Sequence, residues 1–505
     1  MKIGCVQVGA RGLAEYHAAA EDVYSALRSY GPTHDMLVFP ECVYPAYFLD
    51  DTAMREEAVA KTPDFLAEVS RLAREHQTYV AVGVALRGED GLLYNAAVLI
   101  SSRGQILGQA NKQHLWHFDS NWFTEGDQTL VVDTEFGPVG VVVCADARMP
   151  EIVREAALKG ARLILDCANL TASGTSLSDV SNAQIDYLLA VRAFENGVWI
   201  AMADKWGVEG EFATYAGNSA VYAPDGRRVA AAQSMGSGVV SYDIPLVHGR
   251  LGQEPWLTAM ERRVSGLSDD LSNTHPVARS KVDDAVKVGE VNPFVTVVAG
   301  SSQSCDRYPQ LAFRLWQTET DLVCWPPMSD EALQALDCCS NMPEHGAAVA
   351  AVDAARGMDV YVNEGGKGWE LLSTHTPIVQ FHWGSLGVLR DDDIYIPELA
   401  RCLMLMGVDA IYWPHRARSI FDLSLARARA MENRVFVCAT EYNAEDGNSV
   451  SLVIDPAGGV AARTLVGQPL HASQVFMPCA LARLKDVVPG TNVLTGRKPE
   501  RYSLF

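Results

Sequence analysis

The stretch Val139-Gly140-Val141-Val142-Val143-Cys144-Ala145-Asp146-Ala147-Arg148-Met149-Pro150-Glu151 carries an apolar run onto a cysteine. A glycine-led run of valines reads as a fully buried strand, and Pro150 suits the first turn of a helix. A thiol at that junction sits near oriented backbone N–H groups, which lower its pKa and can hold an oxyanion. Cys144 is therefore placed as a nucleophile would be. The competing reading is structural, since a free cysteine is commonly a small core residue.

Positioning such a thiol requires strands and helices in alternation, and the chain supplies them. Val6–Val8 precedes a helix-like Ala14–Ser29, and Met36–Phe39 is a short strand ending at Pro40-Glu41. Residues 63–76 have helical spacing, with Phe65, Leu66, Val69 and Leu72 on one face. Tyr79–Leu86, Leu92–Ser101 and Gln105–Asn111 read as three strands separated by glycine turns. After Cys144 come a helix to Lys159, a strand over residues 162–165, a helix over 182–196 and a strand over 198–203. Residues 213–223 and 227–232 read as a hairpin around Pro224-Asp225-Gly226. Interleaving of this kind indicates an α/β layered architecture.

At 505 residues the chain exceeds one ordinary core, so two or more domains are expected. A formal charge of −21 argues against nucleic acid and anionic membrane as partners. No apolar run has the length of a membrane span, and the N-terminus reads as a first strand and not a signal peptide. Eleven scattered cysteines fit a reducing cytoplasm. Cys338-Cys339 has no partner at ligand spacing, so neither a metal nor a cofactor is expected.

The chain repeats itself. Asp35–Glu41 recurs as Asp321–Pro327, Gly137–Glu151 as Gly384–Glu398, and Arg192-Ala193-Phe194-Glu195-Asn196 as Arg429-Ala430-Met431-Glu432-Asn433. Gly217-Asn218-Ser219 with Pro224-Asp225-Gly226 returns as Gly447-Asn448-Ser449 with Pro456-Ala457-Gly458. Four matches in one order predict two halves with one fold. The expected division is residues 1–265, a linker over 266–291, and residues 292–505.

Phe39-Pro40-Glu41, Asn111-Lys112, Cys144–Glu151 and Arg192–Asn196 together resemble the motifs of the nitrilase, or carbon–nitrogen hydrolase, superfamily. The resemblance implies two tandem four-layer αββα sandwich domains forming an internal pseudo-dimer. It also implies a Glu41–Lys112–Cys144 site without metal or cofactor. There Glu41 is the general base, Cys144 the nucleophile and Lys112 the oxyanion stabiliser, with the Ala145 N–H as second donor. The family's second glutamate is Asp119 here, one methylene shorter, and Glu125 is its alternative. Asn169 stands where the family binds substrate, and Tyr44, Tyr47, Phe48, His114, Trp116, His117 and Trp122 lie in pocket-lining loops.

The implied activity is hydrolysis of a small-molecule amide or N-carbamoyl compound through a cysteine thioester. Nitrilases of this family usually read Cys-Trp-Glu where this chain has Cys144-Ala145-Asp146, which favours amides over nitriles. The rivals are acyl transfer from the same thioester, nitrile hydrolysis, and a silent scaffold. The second half has Pro327 for Glu41 and Asp391 for Cys144. Counting from Gly83 to Cys144 gives 61 residues and from Gly365 to Asp391 gives 26, so the lysine hairpin is expected to be missing. His375, His382 and Arg390–Asp393 read as a charged loop and not as a new site. The second half is expected to stand in for a second subunit, with further homo-oligomers open. Residues 496–502, which resemble the family's terminal arm, are expected to brace the first-half site.

Overall fold

Lys2–Gly9 is apolar enough to be buried on both faces, and it becomes the strand around which the first sheet assembles. A computed structural model describes residues 1–252, 292–300, 302–337, 341–354, 357–372, 377–416, 422–442 and 449–499. The expected linker 266–291, Cys338-Cys339, His375, Gly447-Asn448 and the arm beyond residue 499 lie outside the described residues. The described residues form two units: residues 1–252 with 488–491 and 496–499, and residues 292–487 with 492–495.

In the first unit Lys2–Gly9, Met36–Val38 and Tyr79–Arg87 pair in parallel. Leu93–Ile100 and Ile106–Asn111 continue the sheet antiparallel. A second sheet holds Gly137–Val143, Leu163–Cys167 and Trp199–Ala203 in parallel at its centre. One apolar cluster takes Ile3, Val38 and Leu99 from the first sheet and Val141, Leu165 and Ala201 from the second. The two sheets therefore face each other across it. The outer face of the first sheet, Leu37, Val80 and Val82, is covered by Val23, Leu27, Phe65 and Val69 of helices Tyr16–Tyr30 and Thr62–His76. Helices Pro150–Leu158 and Leu189–Asn196 cover the second sheet with Ile152, Val153, Leu189 and Ala193. Each of the valine, leucine, isoleucine and phenylalanine side chains removed from water contributes about 1.5–3 kcal/mol. Thr62–His76 runs as its spacing predicts and stops at Gln77, whose φ of 54° is left-handed.

Three local expectations change. Residues 213–223 are not one strand: Ala213–Ala216 pairs with Lys205–Glu209 in the first sheet, and Ala220–Tyr222 joins the second. Gly217 and Asn218, both with positive φ, turn the chain from one sheet to the other. Residues 182–196 begin with a π turn, Gln184–Leu188, before the α-helix Leu189–Asn196. The helix after Cys144 starts at Pro150, as the proline predicts, but a separate 3-10 turn, Cys144–Arg148, stands between it and the strand.

The second unit has two six-stranded sheets of the same pattern. Phe294–Gly300, Leu322–Cys324 and Ala347–Ala354 are parallel in one, and Gly384–Val388, Ala410–Arg416 and Phe436–Tyr442 in the other. The repeat extends to individual bonds. Arg192 Nε donates to the Ala147 carbonyl at 2.9 Å, and Arg429 Nε to that of Ile394 at 2.9 Å. Asn196 Nδ2 returns to the Arg192 carbonyl at 2.9 Å, as Asn433 does to Arg429 at 2.9 Å. Asp146 accepts from the Val143 N–H at 3.2 Å, and Asp393 from that of Arg390 at 2.9 Å.

Register corrects one alignment. Met36 pairs with Tyr79 and Leu322 with Ala347, so the counterpart of Gly83 is Ala351 and not Gly365. From Ala351 to Asp391 is 40 residues, so the shortfall against the first half is 21. The tail also departs from the expected division, because residues 488–491 and 496–499 belong to the first unit. The Thr491 hydroxyl accepts from the His117 N–H at 2.7 Å, Arg497 reaches Glu151 at 3.4 Å, and Lys498 pairs with Glu125. No helix among the described residues is long and apolar enough to cross a membrane.

Candidate active site

Three segments of the first unit meet where its parallel strands end. Residues 39–49 leave the strand Met36–Val38, the segment after Ile106–Asn111 begins with Lys112, and the elbow follows Gly137–Val143. Gly83 permits the first approach, because a Cβ there would stand 2.3 Å from the Pro40 carbonyl oxygen and 2.5 Å from Glu41 Cα. Gly126 permits the second, since a Cβ would stand 2.3 Å from the Asn111 carbonyl oxygen.

Lys112 Nζ lies 2.7 Å from Glu41 Oε1 and 2.6 Å from Asp119 Oδ2, and all three side chains have no solvent exposure. Burial acts against the ammonium, but the two carboxylates outweigh it and hold the Lys112 pKa well above the usual lysine range. Burial raises the Glu41 pKa, with Lys112 opposing. Asp119 is tied further by the Tyr47 hydroxyl at 2.5 Å and the Trp116 N–H at 2.8 Å. The shorter carboxylate thus still reaches the lysine. Glu125 pairs instead with Lys498 at the surface.

Cys144 has φ of 51°, the left-handed region, on the first residue of its turn. Its own N–H goes to Asp166 Oδ1 at 2.9 Å, its carbonyl accepts from Gln184 Nε2 at 3.0 Å, and its Sγ faces the Asn169 carbonyl at 3.6 Å. Ala145 N–H stands at the start of the 3-10 turn, where no helical carbonyl reaches it. The expectation of a lowered thiol pKa is reversed. Burial raises it well above the ordinary range, the Glu41 charge adds to this, and Lys112 opposes. Cys144 therefore rests as a thiol and requires a base.

Asn169 is buried beside the elbow, and its side-chain amide makes no hydrogen bond of ordinary geometry among the described residues. Of the aromatic residues, Tyr47 adjoins the site, with Lys112 Nζ 5.8 Å from its ring centre. Phe48 and Trp122 cluster with Phe118 and the exposed Phe212. Trp116 lies against the Arg148 guanidinium at 4.3 Å. Tyr44 points elsewhere and stacks on Phe65 at 4.4 Å as packing. His114 contributes its backbone N–H to Asp146, and His117 its N–H to Thr491.

Sequence reasoning missed Asn95, Asp166 and Glu209. Asn95 Nδ2 donates to Glu41 Oε1 at 2.6 Å. Glu209 Oε1 accepts the N–H groups of Tyr47 and Phe48 at 2.8 and 3.0 Å. A lone polar residue inside a buried run was the available signal, in Tyr94-Asn95-Ala96 and in Leu165-Asp166-Cys167. Among the described residues no group of three or more His, Cys, Asp or Glu side chains could hold a metal ion.

The second-unit elbow keeps the backbone and loses the groups. Asp391 has φ of 42°, and its carboxylate is 2.5 Å from Arg416. The counterpart of the loop that carries Glu41 is also one residue shorter: the N–H groups of Phe39 and Val43 bond Ala81 and Gly83, whereas those of Trp325 and Met328 bond Val349 and Ala351. The position corresponding to Lys112 falls outside the described residues.

The carbon–nitrogen hydrolase family profile matches residues 2–251 and 352–466 of the chain. A probable nitrilase of Schizosaccharomyces pombe is 25% identical over 270 residues, which are 52% of this chain and 96% of that protein. A nitrilase of Pyrococcus abyssi is 30% identical over 43% of this chain and 79% of its own length. An (R)-stereoselective amidase of a Pseudomonas species is 27% identical over 45% of this chain and 79% of that protein. Among solved structures, an amidase from Nesterenkonia sp. has 25% identity and a TM-score of 0.43, covering 48% of this chain and 90% of that one.

Proposed function

The chain belongs to the carbon–nitrogen hydrolase family and acts on C–N bonds; on that premise we propose that it hydrolyses an amide or N-carbamoyl compound through a thioester on Cys144. The observation that carries this reading is the buried Lys112 ammonium held by Glu41 and Asp119, in range of a thiol on a left-handed elbow. Glu41 takes the thiol proton, and the thiolate attacks the carbonyl carbon. Lys112 and the Ala145 N–H hold the oxyanion as it forms, where burial makes each donor effective. Protonated Glu41 returns the proton to the leaving nitrogen, ammonia or an amine departs, and the thioester remains. Glu41 then draws a proton from water, hydroxide adds to the thioester, and the acid leaves as the thiol reforms. Asp119, braced by Tyr47 and Trp116, keeps Lys112 charged and in place. Asn169 is the polar group for the substrate.

A panel of primary amides and N-carbamoyl compounds, scored by ammonia release, tests the proposal. Turnover lost in Cys144→Ala, with an acyl adduct on Cys144 in wild type seen by mass spectrometry, is expected. Turnover surviving Cys144→Ala would sink it. A second reading, acyl transfer, draws support from similarity to an apolipoprotein N-acyltransferase of Geobacter metallireducens, 29% identical over 35% of that protein. Added hydroxylamine that diverts most product from acid to hydroxamate would favour it.

We read each half as a four-layer αββα sandwich and the second half as a silent covalent partner of the first. Asp391 in the place of the thiol and the shortened counterpart of the Glu41 loop support the silence. A protease site placed within residues 266–291 tests the pairing: after cleavage the halves should co-elute. Separate elution with a fully active first half would refute it.

A further inference from the structure

Glu41 is the only group in the proposed cycle that moves protons in every step, yet its two oxygens are not equivalent. Oε1 accepts two hydrogen bonds, from Lys112 Nζ at 2.7 Å and from Asn95 Nδ2 at 2.6 Å. Oε2 is buried and has no hydrogen-bond partner among the described residues. We infer that Oε2 is the atom that takes and returns the proton, and that Asn95 is a positioning residue that reserves Oε1 and fixes the carboxylate plane. This rests on the reading of Glu41 as base and names how that base is held.

Asn95 is completely buried in the strand Leu93–Ile100, where a lone amide is costly unless it is bonded. Its bonds run in one direction. The Cys42 thiol donates to Asn95 Oδ1 at 3.3 Å, which fixes the amide so that its N–H, and not its oxygen, faces Glu41. Its main-chain carbonyl accepts the Lys112 N–H at 2.8 Å, so the same residue sets both the base and the lysine. Cys42 follows Glu41 directly and has φ of 40°, in the left-handed region. A carboxylate held on one oxygen by two donors rotates little, and the other oxygen keeps a fixed address for the thiol proton.

Apart from Cys42, which the test itself replaces and which also feels the Glu41 charge, the charged and titratable neighbours of Glu41 must be kept constant. Lys112 and Asp119 act on it most directly, one favouring and one opposing its charge. Cys144 on the elbow, Asp166 and Asp204 at the strand ends, and Tyr47 and Tyr215 all feel its charge in turn.

The probe is iodoacetamide, with modification of Cys144 followed by peptide mass spectrometry across pH, so no substrate is needed. In wild type the rate should fall on the acid side as Glu41 protonates. Asn95→Ala removes a donor to the carboxylate, so the half-point should move up by about one pH unit. At pH values below both half-points its rate should be roughly ten-fold lower than wild type. Cys42→Ala should shift the half-point in the same direction by less, because the amide loses its orienting donor, and Cys42→Ser should restore it. A purely structural role would lower the melting temperature and leave the half-point alone. Superimposable profiles for Asn95→Ala and wild type overturn the inference. If Asn95→Ala fails to fold, equal profiles for Cys42→Ala and Cys42→Ser overturn it. Glu41→Gln separates the two levels. Loss of the acid limb there with an unmoved Asn95→Ala limb rejects this inference alone, whereas an intact limb in Glu41→Gln rejects the base itself.

Discussion

Lys112→Met replaces a buried ammonium by a thioether of similar length and leaves Glu41 and Asp119 without their shared counter-ion. Both carboxylates have no solvent exposure, so water cannot take over the lysine's part. Removing one partner of a buried ion pair costs about 3–5 kcal/mol, most of it the uncompensated charge left behind. The loss must depend on pH. Burial already raises the Glu41 pKa with the lysine present, and without it the folded-state value rises further. A carboxyl with a raised folded pKa destabilises increasingly as pH climbs from its unfolded value, near 4.3, to its folded one. The deficit should therefore be small near pH 5 and grow as the pH rises above it. Urea denaturation of wild type and variant at several pH values measures it directly. Lys112→Met/Asp119→Asn should recover more than about 1 kcal/mol at the higher pH, since one of the stranded charges is gone. A deficit below about 1 kcal/mol near pH 8, or one that stays flat with pH, would refute the account of a charge-compensated buried cluster.

Other outcomes follow from the same geometry. The acid limb of kcat/KM should lie above the ordinary carboxylate range, because burial raises Glu41 and its ionised form is the active one; a limb near pH 4 would count against Glu41 as base. Gly83→Ala should cost activity out of proportion to stability, about a hundred-fold in kcat, because the new Cβ displaces Glu41. Steady-state rates beside a thermal melt would check it, and a fully active variant would refute the need for that approach. Tyr47→Phe removes the hydroxyl on Asp119 and should lower kcat several-fold while Cys144 still alkylates. Asp391→Ala breaks the pair with Arg416, a third of which is exposed, so it should cost about 1 kcal/mol or less and leave turnover per folded molecule unchanged. A collapse of activity there would contradict a silent second half.

Much of the molecule was legible in the residue order, for reasons of periodicity and type. The valines before Cys144 and the apolar spacing of residues 63–76 dictate a buried strand and an amphipathic helix with little help from context. The repeated Arg-Ala-x-Glu-Asn segments predicted one fold in both halves, and the structure repeats even their arginine–carbonyl bonds. Family motifs marked Glu41, Lys112 and Cys144, but they could not say what state those groups occupy. The thiol pKa depends on how much water the fold removes and on which charges it brings near, and both act between residues distant in sequence. So do the reach of Asp119 to Lys112, the crossing of Glu41 over Gly83, and the tie from Cys42 through Asn95 to one oxygen of Glu41. The split of residues 213–223 between two sheets was likewise invisible, since Gly217 and Asn218 break a strand only where a second sheet waits to receive the chain. The elbow makes the division plain. Residue order alone determined its buried strand and its proline start in both halves. Only the tertiary structure brings the Glu41 carboxylate and the Lys112 ammonium within electrostatic reach of the first-half thiol, while Arg416 engages Asp391 in the second.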